Sequence, residues 1–390
     1  MANNLIKVAV AVGAGMSCVG AAASQEEIDL LKRQLQEQQA QLDALTSAVE
    51  SRSDVGAGWW ADTSFGGYAE LHYNNIDSEA SAKDDVELDL HRFVLFFGHR
   101  FNENVRFFSE LEVEHNVAGE GKNGEVEIEQ AFIEYDYATN HSAKAGVFLV
   151  PVGILNETHE PDTFYGVERN NVEKNIIPTT WWEGGIMGSG EVVAGLSYDV
   201  AVSSGLYLDV GAGKFKVRDG RQKTSEANAT DLAYTARLIW NGIPGVRAGF
   251  TAQQQQDLAQ GDVFGTVQDL DALLLETHID LQKGPIGLRA LYATWDIDGA
   301  IDDVAAGSSE QTGFYVEPSY KITSNFGIFA RYSEWDNQAA DSSINSEYDQ
   351  IDAGINYWLV ETVALKADFQ KTNEPSDTKK GFNLGIGWSF

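Results

Sequence analysis

Histidines set beside carboxylates are the residues with which a chain most readily binds a metal or moves a proton. One stretch offers such a set: Glu157, His159-Glu160 and Asp162, followed by Glu168-Arg169 and Glu173-Lys174. The other histidines, His72, His91, His99, His115, His141 and His278, are scattered along the chain. None stands in the HExxH spacing that puts two imidazoles on one helix face. No Gly-x-Ser-x-Gly elbow and no Gly-rich phosphate loop occurs. Cys18 is the single cysteine, inside a segment expected to be removed, so thiol chemistry is not expected. We therefore assign no catalytic residue, no metal site and no cofactor. What residues 151–181 can supply is a local field: acids at 157, 160, 162, 168 and 173 against Arg169 and Lys174, with His159 neutral.

The bulk composition narrows what such a field acts on. A formal net charge of −32 over 390 residues makes DNA and RNA unlikely partners, because phosphate backbones require Lys/Arg stripes. Aromatics at 11% together with 38 glycines read as β-rich. Residues 1–23 read as a signal peptide: Lys7, an apolar run from Val8 to Gly20, then Ala21-Ala22-Ala23. Residues 24–50 carry Ile28, Leu31, Leu35, Gln38, Leu42, Leu45 and Val49 at alternating three- and four-residue steps, an a/d seam. We expect a periplasmic α-helical coiled coil there, serving oligomerisation, with a single surface helix as the plainer alternative. Residues 51–63 read as a linker.

From Ser64 onward the period changes from helical to two. Val363, Leu365, Ala367 and Phe369 alternate with Lys366, Asp368 and Gln370. Such runs fall at 64–75, 84–99, 104–115, 125–138, 142–150, 182–189, 192–203, 229–241, 245–254, 271–282, 286–296, 311–321, 326–335, 346–358, 363–371 and 380–390, each near membrane-strand length. In the second, Arg92 falls on the apolar parity; the fourth changes phase near Gln130, as at a bulge. Short connections, among them Gly188-Ser189-Gly190 and Lys283-Gly284-Pro285, alternate with long ones such as 204–228 and 255–270. Parity alone also fits a soluble sandwich. An even strand count and rim asymmetry favour an all-β, antiparallel, sixteen-stranded transmembrane barrel, domain 64–390, with apolar residues toward lipid and a wet lumen.

Inward parity then selects Arg106, Arg237, Arg247, Arg289, Lys321, Arg331 and Lys366, opposed by Glu110, Glu112, Glu114, Glu276, Asp280, Glu317, Asp352 and Asp368. Each can act on a passing solute or brace the wall as an inter-strand ion pair. The longest connection, 151–181, holds three prolines and is too apolar for a solvated excursion. We expect it to fold into the lumen and form the constriction, the alternative being an external lid or a contact between subunits.

The run AGVFLVPVG (145–153), the segment FYGVERNN (164–171) and WWEGGIMGSG (181–190) resemble the phosphate-selective porin O and P family. There a Gly-x-Phe-x-x-Pro strand, here Gly146 to Pro151, leads into the constriction loop. The Glu168-Arg169 pair and the coiled coil also resemble that family, as does Phe390 as a terminal aromatic with Trp388 nearby, a membrane-insertion signal. The resemblance implies a homotrimeric outer-membrane channel of a Gram-negative bacterium, seated among lipid and lipopolysaccharide and inserted by barrel-assembly machinery. The expected function is passive diffusion of small hydrophilic solutes and ions, without enzymatic activity. An anion-specific channel for phosphate or pyrophosphate is the alternative, as is a structural tether to the cell wall.

Overall fold

Two-residue alternation of apolar and polar side chains is satisfied only where each face meets a different environment. The computed structural model describes residues 58–81, 85–119, 121 and 124–390, and in it the alternating runs form sixteen strands. They are β1 (Thr63–Ser78), β2 (Asp85–Arg100), β3 (Val105–Glu114), β4 (Val126–Ala138), β5 (His141–Leu149), β6 (Trp182–Val193), β7 (Leu196–Ser203) and β8 (Ala233–Ile243). The second half comprises β9 (Val246–Gln255), β10 (Ala272–Lys283), β11 (Ile286–Ile297), β12 (Glu310–Thr323), β13 (Phe326–Asp336), β14 (Tyr348–Val360), β15 (Val363–Glu374) and β16 (Asp377–Ser389). Every strand pairs with its chain neighbours, and β1 pairs antiparallel with β16, from Tyr68↔Ser389 to Ser78↔Lys379. Closure leaves no unpaired edge, the condition for a sheet to stand in hydrocarbon. The signal peptide, the coiled coil and most of the linker lie outside the described residues.

Along β15 and β16 the faces sort as expected. Leu365, Phe369, Phe382 and Leu384 are exposed, whereas Lys366, Asp368 and Asn383 are buried inside. One turn differs. Residues 188–190 are paired in the sheet, with Gly188 opposite Val200 and Ser189 donating to Asp199 at 2.7 Å. The chain reverses instead at Ala194-Gly195, where Gly195 takes φ 81°, a left-handed conformation that glycine adopts without strain. The phase change in β4 is a bulge. Glu110 faces Gln130 and Leu111 faces Ile128, so Glu129 is the extra residue.

The simple inversion, polar inside and apolar outside, fails over part of the wall. Leu274, Leu291, Trp295, Tyr315 and Trp335 point inward from β10–β13 and are buried. They join loop residues such as Val152, Ile176, Trp181, Leu206 and Leu258 in one apolar cluster inside the barrel. Each such residue removes apolar surface from water, ~25 cal/mol per Å² buried. A large lumen can be partly filled only if loops bring their own apolar surface into it, and these do.

Candidate functional site: the loop inside the barrel

The connection from β5 to β6 runs inside the barrel. Its neck is tied by Asn156, whose amide donates to Val150 O at 2.8 Å and Trp181 O at 2.9 Å, while its carbonyl accepts from Trp181 N at 2.7 Å. Beyond the neck the loop has two kinds of contact. Residues 150–155 and 172–181 enter the apolar cluster, where Trp295 Nε1 donates to Ile176 O at 2.9 Å. Within this half Glu173 accepts from the backbone of Ile154 and Leu155, from Tyr315 Oη and from Asn170 Nδ2, at 2.9, 2.6, 2.9 and 3.2 Å. Burial raises its pKa, and these donors offset that only in part.

Residues 157–169 make polar contacts with wall strands across the lumen. Glu157 pairs with Arg237. Arg92 donates to His159 O at 3.0 Å, Ser389 to Asp162 at 2.7 Å and Arg289 to Thr163 O at 3.0 Å. Lys366 Nζ lies 3.7 Å from the centre of the Phe164 ring, and Val167 N donates to Asp368 at 2.6 Å. Glu168 meets His72 at 2.9 Å and Asn74 at 3.0 Å. The loop also packs on the bare strip of β16: a Cβ at Gly387 would stand 2.4 Å from Pro161 Cβ, and one at Gly385 3.0 Å from a Val167 methyl. Those glycines make room for the loop itself. Beside it, toward the short-turn rim, a cavity of about 730 Å³ is lined by Thr163, Phe164, Arg289, Glu317 and Lys321 among others.

The wall charges are mostly paired. Arg331 lies 2.9 Å from Asp352 and 3.2 Å from Glu317, Arg289 3.0 Å from Asp280, and Arg237 2.7 Å from Asp199. Arg106 sits with Glu134 and Asp136 at 2.9 and 2.5 Å, and Glu276 with His278 at 2.7 Å. Arg247 stands opposite Asp280 in the β9–β10 register. Among the described residues no salt bridge holds Arg169, Lys174, Arg218 or Arg221. Instead Arg169 and Arg221 donate to Thr180, through Oγ1 and O, at 2.9 and 2.8 Å, and Arg218 donates to Lys174 O and Thr179 O. Burial and the like charges of Arg221 and Arg169 push Arg218 down to about 9.

Behind the loop lies a second cluster. Arg92, fully buried, is 2.5 Å from Glu70, 3.1 Å from Tyr68 Oη and 3.8 Å from Glu112. His159 Nε2 stands 3.4 Å from both Glu110 and Glu129, and its Nδ1 is 3.1 Å from Asn156 O. Burial works to lower the His159 pKa, but the two carboxylates outweigh it and push it up to about 10. Two further gatherings, Asp89–His91–His115 and His72–His91–Glu168, bring ligand atoms within 4.8 Å of one another.

No family model matches the chain. An uncharacterized protein of Aquifex aeolicus (strain VF5) is 32% identical over 361 residues, 84% of this chain and 80% of that one. The two belong to one family. Among solved structures the barrel is similar to the anion-selective porin from Comamonas acidovorans, with TM-score 0.61, 12% identity and coverage of 84% of this chain and 99% of that one. It is also similar to the channel DcaP of Acinetobacter baumannii and to Salmonella typhi OmpF in complex with daunomycin. Both have TM-score 0.58 and cover 84% of this chain and 97% of theirs, at 14% and 13% identity. These likenesses show the fold, that of outer-membrane porins.

Glu157, His159, Glu160, Asp162, Glu168, Arg169, Glu173 and Lys174 all lie on the inner loop, but the field differs from the count of charges. Glu157, Glu168 and Glu173 are engaged by groups of the wall or of the loop's own backbone, whereas Arg169 and Lys174 join Arg218 and Arg221 from the β7–β8 connection. Of the residues expected on the pore wall, Glu110, Glu112, Glu276, Arg331, Lys366 and Arg237 are all buried, Glu110 against His159 of the loop. Sequence reasoning missed Glu70, Arg92, Glu129, Arg218 and Arg221. Arg92 off its parity and the phase change near Gln130 were the available signals. Nothing in the spacing pointed to the two arginines. The sequence assigned no metal site; the fold nonetheless gathers His and Glu side chains from a strand, a bulge and a loop that share no sequence spacing.

Proposed function

We propose that this chain is an outer-membrane porin that lets small hydrophilic solutes and ions diffuse passively, with the inner loop 151–181 as its constriction. The observation that carries the reading is the loop's own course. Its polar half hydrogen-bonds to inward side chains of β1, β2, β8, β11 and β13–β16, so solute must pass beside it. The likeness to porin structures supports it. We further propose that the pore works as a homotrimer in the outer membrane, that residues 24–50 oligomerise in the periplasm, and that Trp388 and Phe390 serve insertion.

A second reading, preference for anions, is favoured by one observation. Arg169, Lys174, Arg218 and Arg221 converge on residues 174–180 with no carboxylate paired to any of them among the described residues. Guanidinium groups in this state attract anions and offer them paired donors. Selectivity for phosphate in particular has no separate support. Planar-bilayer recording under a KCl gradient tests both readings. Discrete conductance steps support the channel, and absence of conductance from folded protein rejects it. A reversal potential on the chloride side that moves toward potassium in Arg169→Gln/Arg221→Gln supports the anion reading. Potassium preference in the parent protein rejects it.

A further inference from the structure

Three buried groups meet where the inner loop touches the wall, each from a different element: Glu110 from β3, Glu129 from the β4 bulge and His159 from the loop. They are 1, 1 and 3% exposed. Glu110 Oε1, Glu129 Oε2 and His159 Nε2 form no well-aligned hydrogen bond and, among the described residues, have no polar partner but one another. Buried polar atoms without partners are costly and need a reason.

The surrounding bonds orient these atoms toward one another. Asn156 O can only accept, so at 3.1 Å it takes the Nδ1 proton of His159, and a cation that displaces the Nε2 proton finds a lone pair there. Metal-bound histidines are held in the same manner, by a carbonyl on the far ring nitrogen. Gln130 donates to Glu110 Oε2 at 2.7 Å and leaves Oε1 for the site. The separations fit as well. His159 Nε2 is 3.4 Å from each carboxylate oxygen, long for a hydrogen bond. Donors about 3.3–3.4 Å apart are what tetrahedral bonds of ~2.0–2.1 Å produce.

Charge points the same way. Arg92 is engaged by Glu70 at 2.5 Å and by Glu112 at 3.8 Å, and His72 also meets Glu70 at 3.1 Å, so among the described residues Glu110 and Glu129 have only His159 as an ion-pair partner. A protonated His159 has one N–H to offer at Nε2 and two acceptors at equal distance. A dication satisfies both oxygens and the ring nitrogen together. One imidazole with two carboxylates suits zinc and its transition-metal neighbours better than calcium or magnesium. We propose that Glu110, Glu129 and His159 bind a zinc-class divalent cation that fastens the inner loop to β3 and β4.

The test uses the full chain, folded and stripped with chelator, then loaded with zinc chloride, dialysed and assayed for metal by mass spectrometry. Folding is scored separately by resistance of the barrel to detergent before heating. The expected result is one retained zinc per chain that His91→Asn leaves in place and that Glu129→Gln and His159→Asn each remove. Their affinity should fall by more than the roughly 10–100-fold typical of losing a group that only orients a metal ligand. X-ray absorption at the zinc edge should show one imidazole nitrogen with oxygen neighbours. A parent protein that retains no zinc would overturn the proposal. So would folded Glu129→Gln and His159→Asn chains with undiminished zinc, or an absorption spectrum without imidazole.

Discussion

One half of the inner loop sits in a dry core and the other in a field of charges, although both are parts of one connection between β5 and β6. Residues 150–155 and 172–181 pack on Leu274, Trp295 and Tyr315, where close packing fixes position and few polar atoms need partners. Residues 157–169 are held by Arg92, Arg237, Arg289, Arg331, Asp368 and His72. Each of those contacts sets electrostatic attraction against lost hydration, and the balance is close to even. The apolar half explains why the loop is inside. The polar half explains what a solute beside it would meet, and Glu110–Glu129–His159 lies against that half, whereas the arginine cluster joins Arg169 at its end to residues 174–180 of the other half.

The comparison breaks most readily at Trp295. Trp295→Ala removes a fully buried indole and leaves Ile176 O without its donor, a loss of about 3–5 kcal/mol from the apolar half. Limited proteolysis should then cut within 150–181; unchanged resistance would mean that the core does not hold the loop. Arg331→Met probes the opposite side. It strands buried Glu317 and Asp352, at roughly 3 kcal/mol, and denaturant midpoints should shift with it. Glu173→Gln comes next, at about 1–3 kcal/mol, because an amide donor would face a site built wholly of donors. Hydrogen exchange at Ile154 and Leu155 reads this directly, and protection equal to the parent's would sink it.

The smallest effect sharpens the contrast by pH. Burial works to raise the Glu168 pKa, but the charge and hydrogen bond of His72 prevail and hold it well below the usual carboxylate range. A depressed folded pKa gives stability that is present above the unfolded value of about 4.3 and lost as pH falls toward the folded one. Glu173 has the opposite sign. Its raised pKa means that acidification relieves the cost of its buried charge. Between about pH 5 and pH 3, exchange protection should fall around Glu168 and hold or rise around Glu173. Parallel loss in both segments would contradict the division.

Much of the barrel was legible because its cause is local. Alternation such as Val363 to Gln370 needs only neighbouring residues to be read, and strand after strand followed it. The turn at Gly195 was misplaced because Gly188 and Gly190 carry the same residue type without the left-handed backbone. The loop's residence inside could be anticipated from its apolar content, but its anchoring could not. Trp295 and Tyr315 look like any inward or outward residue until the apolar surface they cover is known. The metal-ligand cluster was hidden for a related reason. Glu129 points inward only because a bulge adds a residue to β4, and the three ligands meet only after the loop has folded back on β3.

The central claim is that the inner loop narrows a water-filled channel, and single-channel conductance tests it most directly. The comparison is between the parent chain and one in which residues 157–169 are replaced by a short Gly-Ser linker, leaving the apolar half in its core. The account predicts discrete steps from the parent and clearly larger steps from the linker chain. Equal conductance from two folded barrels would contradict it.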